Sequence, residues 1–234
     1  MIPLRDTIRS RSLPIVTWLL ILVNALVFFF ELSLGPRLLE RFIYAFGMIP
    51  ARLSLAHPWS LLTLLTATFL HGGWMHFLGN MWTLYIFGDN VEDRMGSGRF
   101  LLFYLLGGAA ANLMQAWAYP NSHIPAIGAS GSIAAVLGAY FLFFPHARVI
   151  TLVPFFFLPW FVEIPAVFYL GVWFLTQFYS GLFALALPAQ ASMGGIAWWA
   201  HVGGFLFGLF LGRVFQRPQP RTWHVWYPDE YWPW

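Results

Sequence analysis

Charge disappears from three long stretches of this chain: no Asp, Glu or Arg occurs between Arg52 and Asp89, between Arg99 and Arg148, or between Glu163 and Arg213. At 1.5 Å per residue, either of the two longer gaps would make a single helix of roughly 70 Å, more than twice the ~30 Å apolar layer of a bilayer. Each gap must therefore turn. "YPNSHIPAIG" supplies the turn in one and "LPAQASMGG" in the other. Together with the apolar run after "MIPLRDTIRSRS", the pattern predicts six spans, at about 14–31, 72–88, 99–118, 130–146, 164–181 and 195–214. The first run superficially resembles a signal peptide, but no small-residue cleavage pattern follows it, so it reads as a retained span. The linker "RVITLVPFFFLPWFVE" is expected at the membrane interface, because Pro154 and Pro159 interrupt it. The expectation is an all-α polytopic membrane helix bundle. It forms a single domain over 1–234, with a core of about 13–214 and a Pro- and Trp-rich tail, 215–234, to which no chemistry is assigned.

Composition agrees with the spans. The chain is 59% hydrophobic, 20% aromatic and only 9% charged, far below the quarter usual for a soluble domain. It contains no cysteine, which excludes disulfides and thiolate metal sites. All twelve basic residues are arginines, and they are scattered, which speaks against a nucleic-acid patch. With six spans both termini share one side. Nine arginines (5, 9, 11, 94, 99, 148, 213, 217 and 221) fall on that side and three (37, 41 and 52) on the other. The positive-inside rule makes the terminal side cytoplasmic.

In so apolar a chain, each polar side chain at membrane depth is a functional candidate. "HGGWMHFLGNMW" offers His71, His76 and Asn80. His76 and Asn80 are four apart and share one helix face; the bland alternative is an interhelical hydrogen bond. His71 precedes Gly72-Gly73 and reads as a pin between a loop and the helix start. In "AWWAHVGGFLFGLFLG", His201 is followed by Gly204, Gly208 and Gly212, a small-residue ridge that lets another helix approach closely. The complementary ridge lies in "GASGSIAAVLGAY": Gly131, Ala135 and Gly138, with Ser130 at its start. Gly128 frees the loop that turns into this helix.

Two such ridges in contact would hold His201 within reach of Ser130. The bland reading of Ser130 is a helix N-cap between flexible glycines. The same position, however, puts unpaired backbone N–H groups and the positive helix end beside a hydroxyl, where an oxyanion could sit. Asn80 could add a side-chain donor. A nucleophile, a base and an oxyanion site are the parts of acyl-transfer hydrolysis. No Asp or Glu is read at the outer end of a span to orient His201, so a Ser-His pair has to suffice. Glu163, with Pro165, reads as the start of the fifth helix.

"FLHGGWMHFLGNM", "FGDNVEDRMG", "GASG" and "AHVGGFLFG" resemble, in order and placement, the motifs of the rhomboid family of intramembrane serine proteases, in its six-span prokaryotic form. The resemblance runs from about Phe69 to Gly212. It implies Ser130 as nucleophile, His201 as general base, and His76 and Asn80 as oxyanion side chains with the backbone at Gly128 and Ser130. It also matches His71 to a structural histidine, while Gly131, Gly204 and Gly208 read as structural from their ridges. No cofactor and no metal are implied. The partners would be transmembrane protein substrates and membrane lipid, in a prokaryotic inner membrane with the site opening outward. The fifth span, with Phe168, Trp173, Phe174 and Phe178, would act as a lateral gate, and His123 would help line a water-accessible pocket. The chain departs from the family at Ala134, where many members carry an aromatic residue against the catalytic histidine; Trp198 or Trp199 would take its place. It also has Leu62-Thr63 where some members carry a Trp-Arg pair. Rival readings are an inactive protein of the same fold that binds client helices, a zinc site from His71, His76 and His201, and a transporter.

Overall fold

The computed structural model describes residues 2–155, 158–186 and 196–218. Its helices are α1 (Ile15–Ser33), α2 (Pro36–Phe46), α3 (Trp59–Thr66), α4 (Trp74–Met95), α5 (Ser97–Ala118), α6 (Ser130–Phe143), α7 (Ala166–Ala186) and α8 (Trp198–Phe215). The stretches expected as spans fall on α1, α4, α5, α6, α7 and α8, with ends shifted by up to seven residues, but not all six of these helices qualify as spans. The turn expected in "LPAQASMGG" and most of the tail lie outside the described residues.

Four of these helices, α1, α5, α7 and α8, are by themselves long and apolar enough to cross a bilayer. Trp59–Phe69 and α4 pass the same test as a pair bent by 83°. The bend falls at Leu70–Gly73, where Gly73 has φ +146°, a backbone conformation that side chains disfavour. With 14 residues, α6 rises about 21 Å.

The short helix is the centre of the molecule. Every residue from Gly131 to Tyr140 is buried, as a helix without a polar face requires, and α4, α5, α7 and α8 pack around it. On α8, a Cβ at Gly204 would overlap the carbonyl oxygen of Gly131, and one at Gly208 that of Ala135. A Cβ at Gly138 would likewise overlap the carbonyl of Phe205. The two small-residue ridges thus interlock backbone against backbone. Gly131 itself meets α5 more tightly than α8: a Cβ there would stand 2.6 Å from that of Ala111 and 3.8 Å from that of Ala200.

The structure adds elements that the hydrophobic pattern does not announce. The linker expected at the interface is a β-hairpin of β2 (Arg148–Phe155) and β3 (Leu158–Pro165), and the N-terminal β1 (Ile2–Asp6) pairs antiparallel with β2. Its two prolines, 154 and 159, face each other in the register next to the hairpin's tip. There they interrupt the ladder least. Glu163 therefore lies on a strand, not at a helix start; it faces Arg148 at 3.5 Å with both side chains about half exposed. Between α1 and α3, α2 alternates Arg37, Glu40 and Arg41 with Leu38, Leu39, Phe42 and Ile43 and buries no residue, the pattern of a helix lying along an interface.

Two acids, Glu92 buried and Asp6 half-buried, tie the elements together. The Glu92 carboxylate, near the end of α4, accepts the backbone N–H groups of Val16 (3.0 Å) and Thr17 (2.8 Å), the Thr17 hydroxyl (2.8 Å) and the Ser97 hydroxyl (2.6 Å). It caps the N-terminus of α1 from another helix, satisfying donors that α1 leaves open. Asp6 on β1 accepts the Tyr140 hydroxyl at 2.5 Å and the Asn90 amide at 2.9 Å, joining the sheet to α6 and α4. Burial raises the Asp6 carboxyl above its ordinary value, and its hydrogen bonds from Tyr140 and the Ile8 backbone oppose that only in part.

Candidate active site

Ser130 is the first residue of α6, following a cap at Ala129 that has no side-chain hydrogen bond. His201 lies in the first turn of α8. Since the ridges hold these two helices in backbone contact, their N-termini come together: His201 Nε2 is 2.8 Å from Ser130 Oγ across 71 residues of sequence.

His76 comes to the same point from α4. A Cβ on Gly128 would stand 2.6 Å from His76 Cε1 and Nε2 and 3.6 Å from Ser130 Oγ. The imidazole therefore fills the place where any other residue would carry a side chain, and the φ of +128° at Gly128 excludes one for a second reason. The Gly72 N–H donates to His76 Nδ1 at 3.3 Å. A neutral ring accepting there carries its proton on Nε2, the atom that stands against Gly128. One turn further, Asn80 is buried, and its Nδ2 has no hydrogen-bond partner among the described residues. By contrast, the Gly128 N–H donates to the Ala67 carbonyl at 2.9 Å. Gly128 is no free donor for an oxyanion, and its contribution is the room it leaves.

His71 is buried with its ring edge-on to Phe28, Phe77 and His76. Its backbone N–H donates to both oxygens of Glu31, at 3.3 and 3.1 Å. Glu31, buried at the end of α1, corrects the reading that no acid lies at an outer span end. The acid holds the loop before α4, however, and not His201. His123 is exposed in the loop before α6.

What holds the His201 ring comes mostly from α7. Gln177 Oε1 lies 2.8 Å from His201 Nδ1. The Trp173 ring lies at 5.9 Å, inclined 35° to the imidazole, and Trp198 meets it edge-on at 6.3 Å. Of the two tryptophans expected to replace the missing aromatic at Ala134, Trp198 touches the ring. Trp199 packs instead against Phe178 and Gly181. Gln177 and Trp173 were legible only as polar and aromatic residues within a span. The rule that singled out His76 applies to a buried glutamine as well. Among the described residues, no three His, Asp or Glu side chains converge as metal ligands would.

The molecule is thus a helical membrane protein whose central buried helix starts with a serine hydrogen-bonded to a histidine on a neighbouring helix. The Rhomboid domain model matches residues 58–218, and the chain belongs to the rhomboid family. It is 30% identical over 199 residues to the presenilin-associated rhomboid-like protein, mitochondrial, of Mus musculus, covering 82% of this chain and 46% of that protein. It is 27% identical over 158 residues to Rhomboid protein 1, mitochondrial, of Saccharomyces cerevisiae, covering 65% and 41%. It is also 37% identical over 127 residues to Rhomboid protease GluP of Bacillus subtilis, covering 54% and 24%. The chain spans less than half the length of each of these relatives. It is an integral membrane protein. Relatives that are mitochondrial in some cases and bacterial in another give no support to the expected prokaryotic inner membrane.

Proposed function

We propose that this protein is an intramembrane serine protease that hydrolyses peptide bonds in or beside the transmembrane helices of other membrane proteins. The observation that carries the reading is the 2.8 Å approach of His201 Nε2 to Ser130 Oγ at the N-terminus of α6. Ser130 Oγ attacks the scissile carbonyl carbon as its proton passes to His201 Nε2. The oxyanion is held by the Ser130 backbone N–H, the Nε2–H of His76 and the Asn80 amide. The C–N bond then breaks and His201 returns the proton to the leaving amine. Water attacks the acyl-enzyme with His201 again as base, releasing the acid and restoring the Ser130 hydroxyl.

Six spans with cytoplasmic termini, as the arginine distribution favours, point the His76, Ser130 and His201 ends outward, toward water. Substrate segments with Gly, Pro or small residues are preferred, since a hydrogen-bonded helix must open before its carbonyl can be attacked. Lateral access passes α7, where Phe168 faces outward and Trp173, Phe174 and Phe178 pack toward α8. His71, through Glu31, and the glycines 131, 204 and 208 act structurally.

The test compares the wild type with Ser130→Ala and His201→Ala in detergent on a labelled single-span substrate. Cleavage by the wild type alone is expected. Equal cleavage by all three ends the reading, and a folded wild type that binds the span without cutting it supports the non-catalytic alternative.

A further inference from the structure

The hydrogen bond between Gln177 and His201 belongs to a chain whose direction is fixed along its whole length. The Thr176 hydroxyl donates to the Trp173 carbonyl at 2.6 Å, so its oxygen is left to accept. The Gln177 Nε2 group donates to that oxygen at 3.1 Å. This assigns the two ends of the amide without recourse to their indistinguishable shapes: Oε1 is the end that faces His201 Nδ1. An amide oxygen can only accept, so Nδ1 carries the ring proton, and Nε2 presents its lone pair to the Ser130 hydroxyl 2.8 Å away. Four hydrogen bonds thus set the tautomer in which His201 is a base toward serine.

We infer that Gln177 is a positioning residue for His201, making the catalytic unit Ser130-His201-Gln177 instead of a pair. This rests on the protease reading. In soluble serine hydrolases an acid orients the histidine and also stabilises the imidazolium. At this depth a buried carboxylate would be costly, and Gln177 is itself buried. The amide supplies orientation with no net charge. The Trp173 and Trp198 rings restrict the imidazole from other sides, and Trp173 and Gln177, four residues apart, project from the same face of α7. The histidine is therefore held by the helix that borders lateral access. Any displacement of α7 that opens this contact also releases the base, so the position of α7 and the competence of Ser130 are linked.

The experiment uses the full chain in detergent micelles with two readouts: cleavage of a labelled single-span substrate, and reaction of Ser130 with a fluorophosphonate probe that needs no substrate helix. In Gln177→Leu, kcat and the probe rate should fall together by about 10- to 100-fold, the range found when the partner orienting a metal-bound histidine is lost, with KM and melting temperature close to wild type. In Gln177→Glu, a carboxylate facing the imidazolium stabilises it, so the acid limb of the kcat/KM profile should move to higher pH by about one unit. A merely structural glutamine would change melting temperature and leave that limb in place. A folded Gln177→Leu variant with wild-type kcat and probe rate overturns the inference. If that variant does not fold, an unshifted acid limb in Gln177→Glu does so. A wild type that neither cleaves nor reacts with the probe overturns the protease reading beneath it, a result distinct from both.

Discussion

The imidazole of His76 occupies the space that a side chain on Gly128 would need, with only 2.6 Å between its ring atoms and an ideal Cβ there. One glycine thus determines where an oxyanion donor from another helix can stand relative to Ser130.

Gly128→Ala should therefore damage the protein twice. The methyl group is strained at φ +128°, at a cost of about 1–3 kcal/mol, and it drives the His76 ring away from Ser130. A lowered melting temperature with cleavage reduced more than tenfold, on the order of losing one oxyanion donor, is the expected result. A variant with wild-type melting and turnover would show that His76 does not stand against Gly128.

Asn80 should separate stability from activity. Its buried Nδ2 has no partner among the described residues, and an unsatisfied buried donor costs about 1–3 kcal/mol. Asn80→Leu is expected to melt at a temperature equal to or above the wild type, while kcat falls by about 10² to 10³. Undiminished turnover in this variant would remove Asn80 from the oxyanion site.

Glu92 should be among the most sensitive positions outside the site. Glu92→Ala leaves the N–H groups of Val16 and Thr17 and the hydroxyls of Thr17 and Ser97 without their acceptor. A loss of about 3 kcal/mol or more is expected, because each orphaned buried donor adds its own cost. Equilibrium unfolding in mixed micelles measures it, and a change within about 1 kcal/mol would contradict the capping role.

Asp6 gives a pH dependence of known sign. Its carboxyl is raised above the ordinary 3.8 by burial, so the folded state favours the protonated form. Stability from this group is fully present below the ordinary carboxylate value and is lost as pH rises through the raised one. Asp6→Asn keeps an acceptor for Tyr140 and Asn90 without the charge. It should gain on the wild type as pH rises toward neutrality and lose that gain in acid. Melting curves at several pH values test this, and a difference independent of pH would refute it.

The legible parts of the molecule were those written in local periodicity. His76 and Asn80 at i and i+4, and glycines at every fourth position of α8, specify a face without knowledge of its partner. What escaped depends on partners far away in sequence. Glu92 is one charge in "VEDRMG" until its four donors arrive from α1 and α5, and Glu31 is a span-end acid until the loop at His71 folds over it. The sheet was obscured because two prolines in an aromatic run read as interruption, although a hairpin's tip is where prolines are tolerated. Gln177 carries no periodic signal, and only the fold shows which helix its amide meets.

The brevity of α6 has a consequence for which bond is cut. A 14-residue helix rising about 21 Å falls some 9 Å short of the ~30 Å apolar layer. With its Phe143 end level with the inner boundary, its serine end stands below the outer one by that shortfall. On the proposed reading, helix length acts as a depth gauge. The scissile carbonyl must come to the level of Ser130, so a substrate is selected by how far beneath the surface its helix is weakest. Lengthening α6 by a turn would move that level outward.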